Sequence, residues 1–140
     1  MSVSKYNSEG YNDPTAYAAL TKIHKEEQAS KAYLAIVYVC SPYSGDIARN
    51  IENARKYSRF VYEEGGIPFT PHLLFTQFMD DSDFTECKTA MNFNRIMLSK
   101  CDELWVFGSR FSKGMSDEIC EAEKRHMKIR YFSEQLEEWK

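Results

Sequence analysis

The sequence has no apolar run of membrane-spanning length and no hydrophobic signal region near its N-terminus. A soluble, cytoplasmic protein with no membrane partner is therefore expected. It also has no block of basic residues, and its net charge is −3, so a duplex nucleic acid is not an expected partner. The four cysteines, Cys40, Cys87, Cys101 and Cys120, lie far apart with no C-x-x-C pair, and His24, His72 and His126 are equally scattered. That spacing argues against a disulfide framework and against a zinc site, and the thiols are expected to behave as small buried hydrophobes. The acidic run Asp80–Asp83 lacks the spacing of a calcium loop and reads as solvated. Neither a metal nor a cofactor is expected, and no repeat or low-complexity segment is visible.

What the chain does have is enough apolar residues for one core, at 43% hydrophobic and 28% charged over 140 residues. Residues 1–30 read as a polar arm and an amphipathic helix that starts near Asp13-Pro14, with Ala16, Ala19, Leu20 and Ile23 on one stripe. Residues 31–140 read as the α/β domain. Leu34–Cys40 is short, β-branched and almost wholly apolar, as a strand buried on both faces should be. A helix from Ile47 to Glu64 ends at Gly65-Gly66, and Ile67–Leu73 is extended around its two prolines. A helix through Met91, Ile96, Met97 and Leu98 then leads to a strand at Glu103–Phe107, with the methionines filling gaps in the core. A helix from about Gly114 to Arg125, a strand at Lys128–Phe132 and a short terminal helix capped by Ser133 complete the order. Alternation of strands and helices without hairpin signals predicts a three-layer parallel sheet of four or five strands, flavodoxin-like or Rossmann-like, with the N-terminal helix as an extra. The N-terminal helix and the many aromatics leave surface to bury, so a homo-oligomer is expected.

Two loops carry residues suited to chemistry. Ser41-Pro-Tyr-Ser-Gly45 follows the first strand and opens a helix. It offers hydroxyls and a glycine for close backbone approach, although it is neither G-x-G-x-x-G nor a P-loop. The same residues also make a plain strand-to-helix turn with Asp46 as the cap. The second loop, Ser112-x-Gly114-x-Ser116-x-Glu118, places two hydroxyls, a free backbone N–H and a carboxylate at the start of a helix, where anions are favoured. A capping loop followed by acidic residues accounts for that pattern too. His72, at the end of the second extended piece, would face the same sheet edge, as scaffold or as catalyst. Of the aromatics, Tyr43 and Phe75 lie on loops and are candidates to meet a ligand.

Taken together, Tyr38–Gly45, Ile67–Leu73, Cys101–Gly108 and Ser112–Glu118 resemble the nucleoside 2-deoxyribosyltransferase-like superfamily, in particular its small phage-encoded and bacterial members. The likeness spans about residues 34–132. It implies an oligomeric α/β domain that binds a nucleoside or nucleotide and cleaves its N-glycosidic bond as a transferase or hydrolase. A Glu, matched by Glu118, would attack the anomeric carbon, as the nucleophile of a retaining glycosidase does. It further implies that Ser112 and Gly114 border a 5′-phosphate and that Ser41, Tyr43, Ser44 and Gly45 border the sugar and phosphate; Ser116, on the same loop, is a further candidate to bind the ligand. The chain departs from the family at two places. The Asp used for acid–base work on the leaving base falls, by its spacing to Asp102, at Asn94, whose amide cannot exchange a proton as a carboxyl does. Ser44 stands where phosphate-binding members place a basic residue. A protein that keeps the pocket and only captures a nucleotide signal is the alternative that Asn94 raises.

Overall fold

Apolar strands that cannot leave either face in water must be covered on both, and that requirement sets the architecture. The computed structural model describes Leu20 and residues 33–139. The expected N-terminal arm and helix, Leu20 apart, lie outside the described residues, and the sheet belongs to a unit spanning Ala35–Lys140. Its elements are β1 (Ile36–Cys40), α1 (Ile47–Glu63), β2 (Ile67–Phe69), α2 (Pro71–Leu74), a 3-10 turn at Phe75–Gln77, α3 (Phe84–Leu98), β3 (Glu103–Phe107), α4 (Lys113–Lys124), β4 (Lys128–Phe132) and β5 (Glu138–Trp139). The strand order is β2-β1-β3-β4-β5. The first four strands are parallel, and β5 runs antiparallel to β4.

Strand periodicity of two sorts the side chains onto the two faces. Val37 and Val39 of β1 join Trp105 and Phe107 of β3, Phe132 of β4, and Tyr57 and Val61 of α1 on one face. Tyr38 and Cys40 join Leu104 and Val106, with Leu98 of α3 and Met115, Ile119 and Ala122 of α4, on the other. Three layers result. The first core is strongly aromatic: Phe107 lies nearly parallel to Tyr57 at 4.3 Å and to Phe132 at 5.2 Å, and Phe60 meets Phe132 edge-on at 5.1 Å.

Local chemistry fixes the element ends. Asp46 accepts from the Arg49 N–H and caps α1, and Asp83 does the same for α3 through Glu86 N–H. Gly65 closes α1 with φ of +90°, a conformation that costs a side-chain-bearing residue energy. At Gly66 a β-carbon would come within 3.1 Å of both Val37 and Val61, a tight fit that these two side chains would have to yield to accommodate. Asp102 accepts from the Ile36 N–H at 2.7 Å and ties the start of β1 to the entry of β3.

The structure corrects several sequence expectations. The extended piece at 67–73 is only three residues of strand. Pro71 occupies the first turn of α2, where a missing N–H is harmless, and His72 therefore sits on a short helix. The terminal helix is instead a turn and an edge strand. Ser133 Oγ accepts from the N–H groups of Gln135 and Glu137, Leu136 adopts φ of +69°, and Arg130 holds Glu138 with two hydrogen bonds of 2.7 and 2.8 Å. The fifth strand is thus antiparallel, which the expected all-parallel sheet did not include. Cys40 and Cys101 are buried as expected, but Cys87 is only partly covered and Cys120 is exposed. Met91, expected in the core, is 53% exposed, because α3 buries only Leu98 fully.

The aromatic stack is the part of the core least able to collapse around a loss. Phe107→Ala is expected to cost about 3–5 kcal/mol, read as a shift in the urea midpoint at unchanged slope. A loss below about 1 kcal/mol would show that the stack does not hold the α1 layer.

Candidate active site

In an open sheet with this strand order the chain reverses direction between β1 and β3, and ligands bind in the crevice outside the carboxyl ends of those strands. The loops leaving β1 and β3 are the two singled out in the sequence. The first is braced on both sides. Asn50 on α1 donates its amide to the carbonyls of Tyr43 (2.8 Å) and Ser44 (3.0 Å). His72 Nε2–H donates to the Ser41 carbonyl at 2.8 Å, since a carbonyl can only accept. The Tyr43 ring stacks on His72 at 4.9 Å. Burial lowers the His72 pKa, partly opposed by the Ser41 carbonyl, so the ring is neutral near pH 7 and its Nδ1 is a bare acceptor. Burial also raises the Tyr43 phenol, helped by its hydrogen bond to the Asp81 carboxylate. Gly45 has φ of +99°, which explains a glycine at the loop's end.

The second loop delivers α4, whose second turn carries Glu118. Ser112 Oγ accepts from the Met115 N–H at 3.2 Å, so that hydroxyl is engaged as the N-cap. Glu118 is half-buried. Its Oε2 is shielded from solvent, with no hydrogen-bond partner among the described residues. Beneath it lies Tyr38, 0% exposed, whose hydroxyl is likewise buried and without a partner at hydrogen-bonding distance, although the two groups interact electrostatically. Desolvation pushes Glu118 up to about 7; the Tyr38 hydroxyl pulls it down and the Asp117 carboxylate adds to the rise. The same neighbourhood raises the Tyr38 phenol and the Cys40 thiol, each by burial first and by Glu118 second.

Glu118 opens into a cavity of about 420 Å3 between α3 and α4, with Asn94, Arg95, Leu98, Asp117 and Glu121 on its walls. A second cavity, of about 150 Å3, lies between the β1 loop, α2 and α3, and Tyr43, His72, Phe75 and Asn94 line it. Asn94 and Met91 line both. The single mouth expected from the sequence is therefore divided: Glu118 shares its cavity with α3 rather than with residues 41–45, and Asn94 links it to the cavity of Tyr43 and His72. Ser41, Ser44, Gly45, Ser112, Gly114 and Ser116 line neither. Ser41 is buried with its Oγ unpartnered, and Ser44 and Ser116 are exposed. A β-carbon on Gly114 would meet nothing closer than 3.9 Å, so close packing does not require that glycine.

Sequence reasoning missed two residues. Tyr38 was one aromatic among many, yet it shares a strand face with Cys40 and so had to point toward the α4 layer that carries Glu118. Asn50 gave no sequence signal, being a polar residue on a helix. Among the described residues no group of three His, Cys, Asp or Glu is placed to hold a metal ion, and no helix is long and apolar enough to cross a membrane.

The model of a domain family of unknown function, DUF7768, matches residues 35–132, which takes in both loops and all four parallel strands. The chain belongs to this family. Among curated proteins none matches the sequence. Among solved structures, this DUF7768 chain is similar to a 2-deoxyribosyltransferase from the psychrotolerant bacterium Bacillus psychrosaccharolyticus, a biocatalyst for the synthesis of antiviral and antitumoral nucleosides. The TM-score is 0.60 at 15% identity, over 71% of this chain and 72% of that one. The likeness establishes a shared α/β fold for the DUF7768 domain and the deoxyribosyltransferase.

Because the folded state holds the Glu118 proton to about pH 7 and the unfolded chain releases it near 4.5, the stability linked to this group is complete below 4.5 and is lost as pH rises through 7. Glu118→Gln removes that loss. Its stability relative to wild type should rise by about 2–3 kcal/mol between pH 4.5 and 7.5, measured by urea unfolding. A difference that does not change with pH would show an ordinary, solvated carboxyl.

Proposed function

We propose that the protein binds a nucleoside or nucleotide and that Glu118 acts on its N-glycosidic bond as the nucleophile. The observation that carries this reading is the Glu118 carboxyl itself: half-buried, unpartnered at Oε2 and open to a cavity between α3 and α4. The likeness of fold to a 2-deoxyribosyltransferase supports it. In the proposed reaction the C–N bond breaks with oxocarbenium character at the sugar. Ionised Glu118 attacks the anomeric carbon, the base leaves with the bonding pair, and water or a second base resolves the glycosyl ester. The β1 loop, held in place by Asn50 and His72, would border the bound nucleoside through Tyr43, whose cavity meets that of Glu118 at Asn94.

A second reading rests on Asn94. A leaving base departs more easily when protonated, and an amide cannot supply that proton. With Asn94 at the junction of the two cavities, the site would then hold a nucleotide intact, as a capturing or sequestering protein.

The two readings separate by chromatography after incubation with deoxynucleosides and their 5′-monophosphates. Release of free base by wild type, and at least a thousandfold less by Glu118→Gln, is the expected result. Since only the carboxylate attacks, kcat/KM should rise with pH and level off above about 7. Equimolar retention of intact nucleotide with no base released would favour capture. Undiminished base release by Glu118→Gln would remove the nucleophile assignment, and a failure to bind any of the compounds would remove both readings.

A further inference from the structure

The smaller cavity differs in chemistry from the one that holds Glu118. Its walls include Tyr43, Phe75, Met79 and Met91, so it suits a flat apolar ring. The polar groups around it are predominantly acceptors. Asp80, Asp81 and Glu86 line it, and no Lys or Arg does. His72 has spent its one N–H on the Ser41 carbonyl, which leaves Nδ1 as a bare acceptor. Asp80 and Asp81 are exposed at its rim, where Asp80 accepts from the Ser82 N–H and hydroxyl, and Glu86 accepts from the Asp80 N–H. At the wall shared with the Glu118 cavity, the Asn94 Oδ1 is shielded from solvent and unpartnered, a state that costs about 1–3 kcal/mol until a donor arrives. A phosphate or other anion would meet carboxylates here and no cation.

We infer that this cavity is the subsite for an amino-substituted ring, a nucleobase of the adenine or cytosine type, whose exocyclic N–H groups satisfy these acceptors while Asn94 reads the donor–acceptor edge. The inference rests on the nucleoside reading above and adds to it which bases are taken. An amide matches the amino-plus-ring-nitrogen edge of adenine with one acceptor and one donor. A site built around such hydrogen bonds rejects an analogue that lacks the donor, because its own buried groups stay unpaired.

Binding of deoxyadenosine is compared calorimetrically with that of purine 2-deoxyriboside, which lacks the amino group and adds no bulk, and of the N6,N6-dimethyl analogue. Glu118→Gln protein is used so that no ligand is consumed. Deoxyadenosine should bind at least about tenfold more tightly than either analogue, and Asn94→Leu should reduce that margin to threefold or less. Equal binding of deoxyadenosine and purine 2-deoxyriboside would overturn this inference while leaving the nucleoside reading in place. Retention of the full margin in a folded Asn94→Leu protein would remove Asn94 from the role. If no nucleoside binds, both the inference and the reading beneath it fall.

Discussion

The carboxyl of Glu118, buried against the Tyr38 hydroxyl without a hydrogen bond to settle it, is the constraint around which the site is arranged. A buried acceptor without a donor is unfavourable, and a buried carboxylate more so, so the fold must recover that cost elsewhere. It does so through apolar packing on both faces of the sheet. The Phe107–Tyr57–Phe132 stack fixes α1, while Met115, Ile119 and Ala122 anchor the face of α4 next to Glu118. α4 is anchored one residue beyond Glu118, at Ile119, which fixes the backbone position of the carboxyl-bearing residue. Unpartnered polar atoms held this way are rare in native structures, and four occur among the described residues: Tyr38 Oη, Ser41 Oγ, Asn94 Oδ1 and Glu118 Oε2. All four belong to β1, the loop that follows it, α3 or α4, the elements that surround the two cavities.

Much of this architecture was legible because burial leaves strong patterns. Leu34–Cys40 and Glu103–Phe107 read as buried strands since both faces are covered, and the structure places strands at Ile36–Cys40 and Glu103–Phe107. Asp46 and Ser112 read as caps, and both accept from the expected first-turn N–H groups. The failures have equally physical causes. Pro71 argued against helix, but a proline in the first helical turn lacks only an N–H that would have gone unused. Ser133 carried the mark of a helix cap, yet the same hydroxyl closes a turn, and the choice was made by Arg130 reaching Glu138 across the sheet. That long-range pair has no local signature. Met91 sat at core spacing on α3, but a helix that buries only one side chain fully does not obey the pattern.

At the site, the residues with special backbone or capping roles were readable, whereas the grouping of side chains was not. Glu118, Asn94, Tyr43 and His72 all line one or the other cavity. The sequence offered no way to see that α3 would stand between Glu118 and the β1 loop and split one crevice into two. The serines of the second loop illustrate the opposite case. Ser112 could be read as a ligand group or, more simply, as part of a capping loop, and its Oγ takes the Met115 N–H.

The division into two cavities bears directly on whether the proposed chemistry can run. Base departure is eased by a proton at the base, and sugar attack needs an ionised carboxylate. Glu118 cannot serve both ends at once: with its pKa near 7, the fraction that could donate is the fraction that cannot attack. His72 is neutral and has committed its N–H to Ser41, so it offers nothing to the base without breaking the brace that holds the β1 loop. Asn94 can hydrogen-bond but cannot give up a proton. In the proposed reaction, cleavage would therefore be carried by oxocarbenium stabilisation and nucleophilic trapping at Glu118, with the base leaving on hydrogen bonds alone or on a proton from water. A site so weighted toward holding its ligand and away from expelling the base would bind well and turn over slowly, which makes capture and slow cleavage neighbouring outcomes of one proposed arrangement.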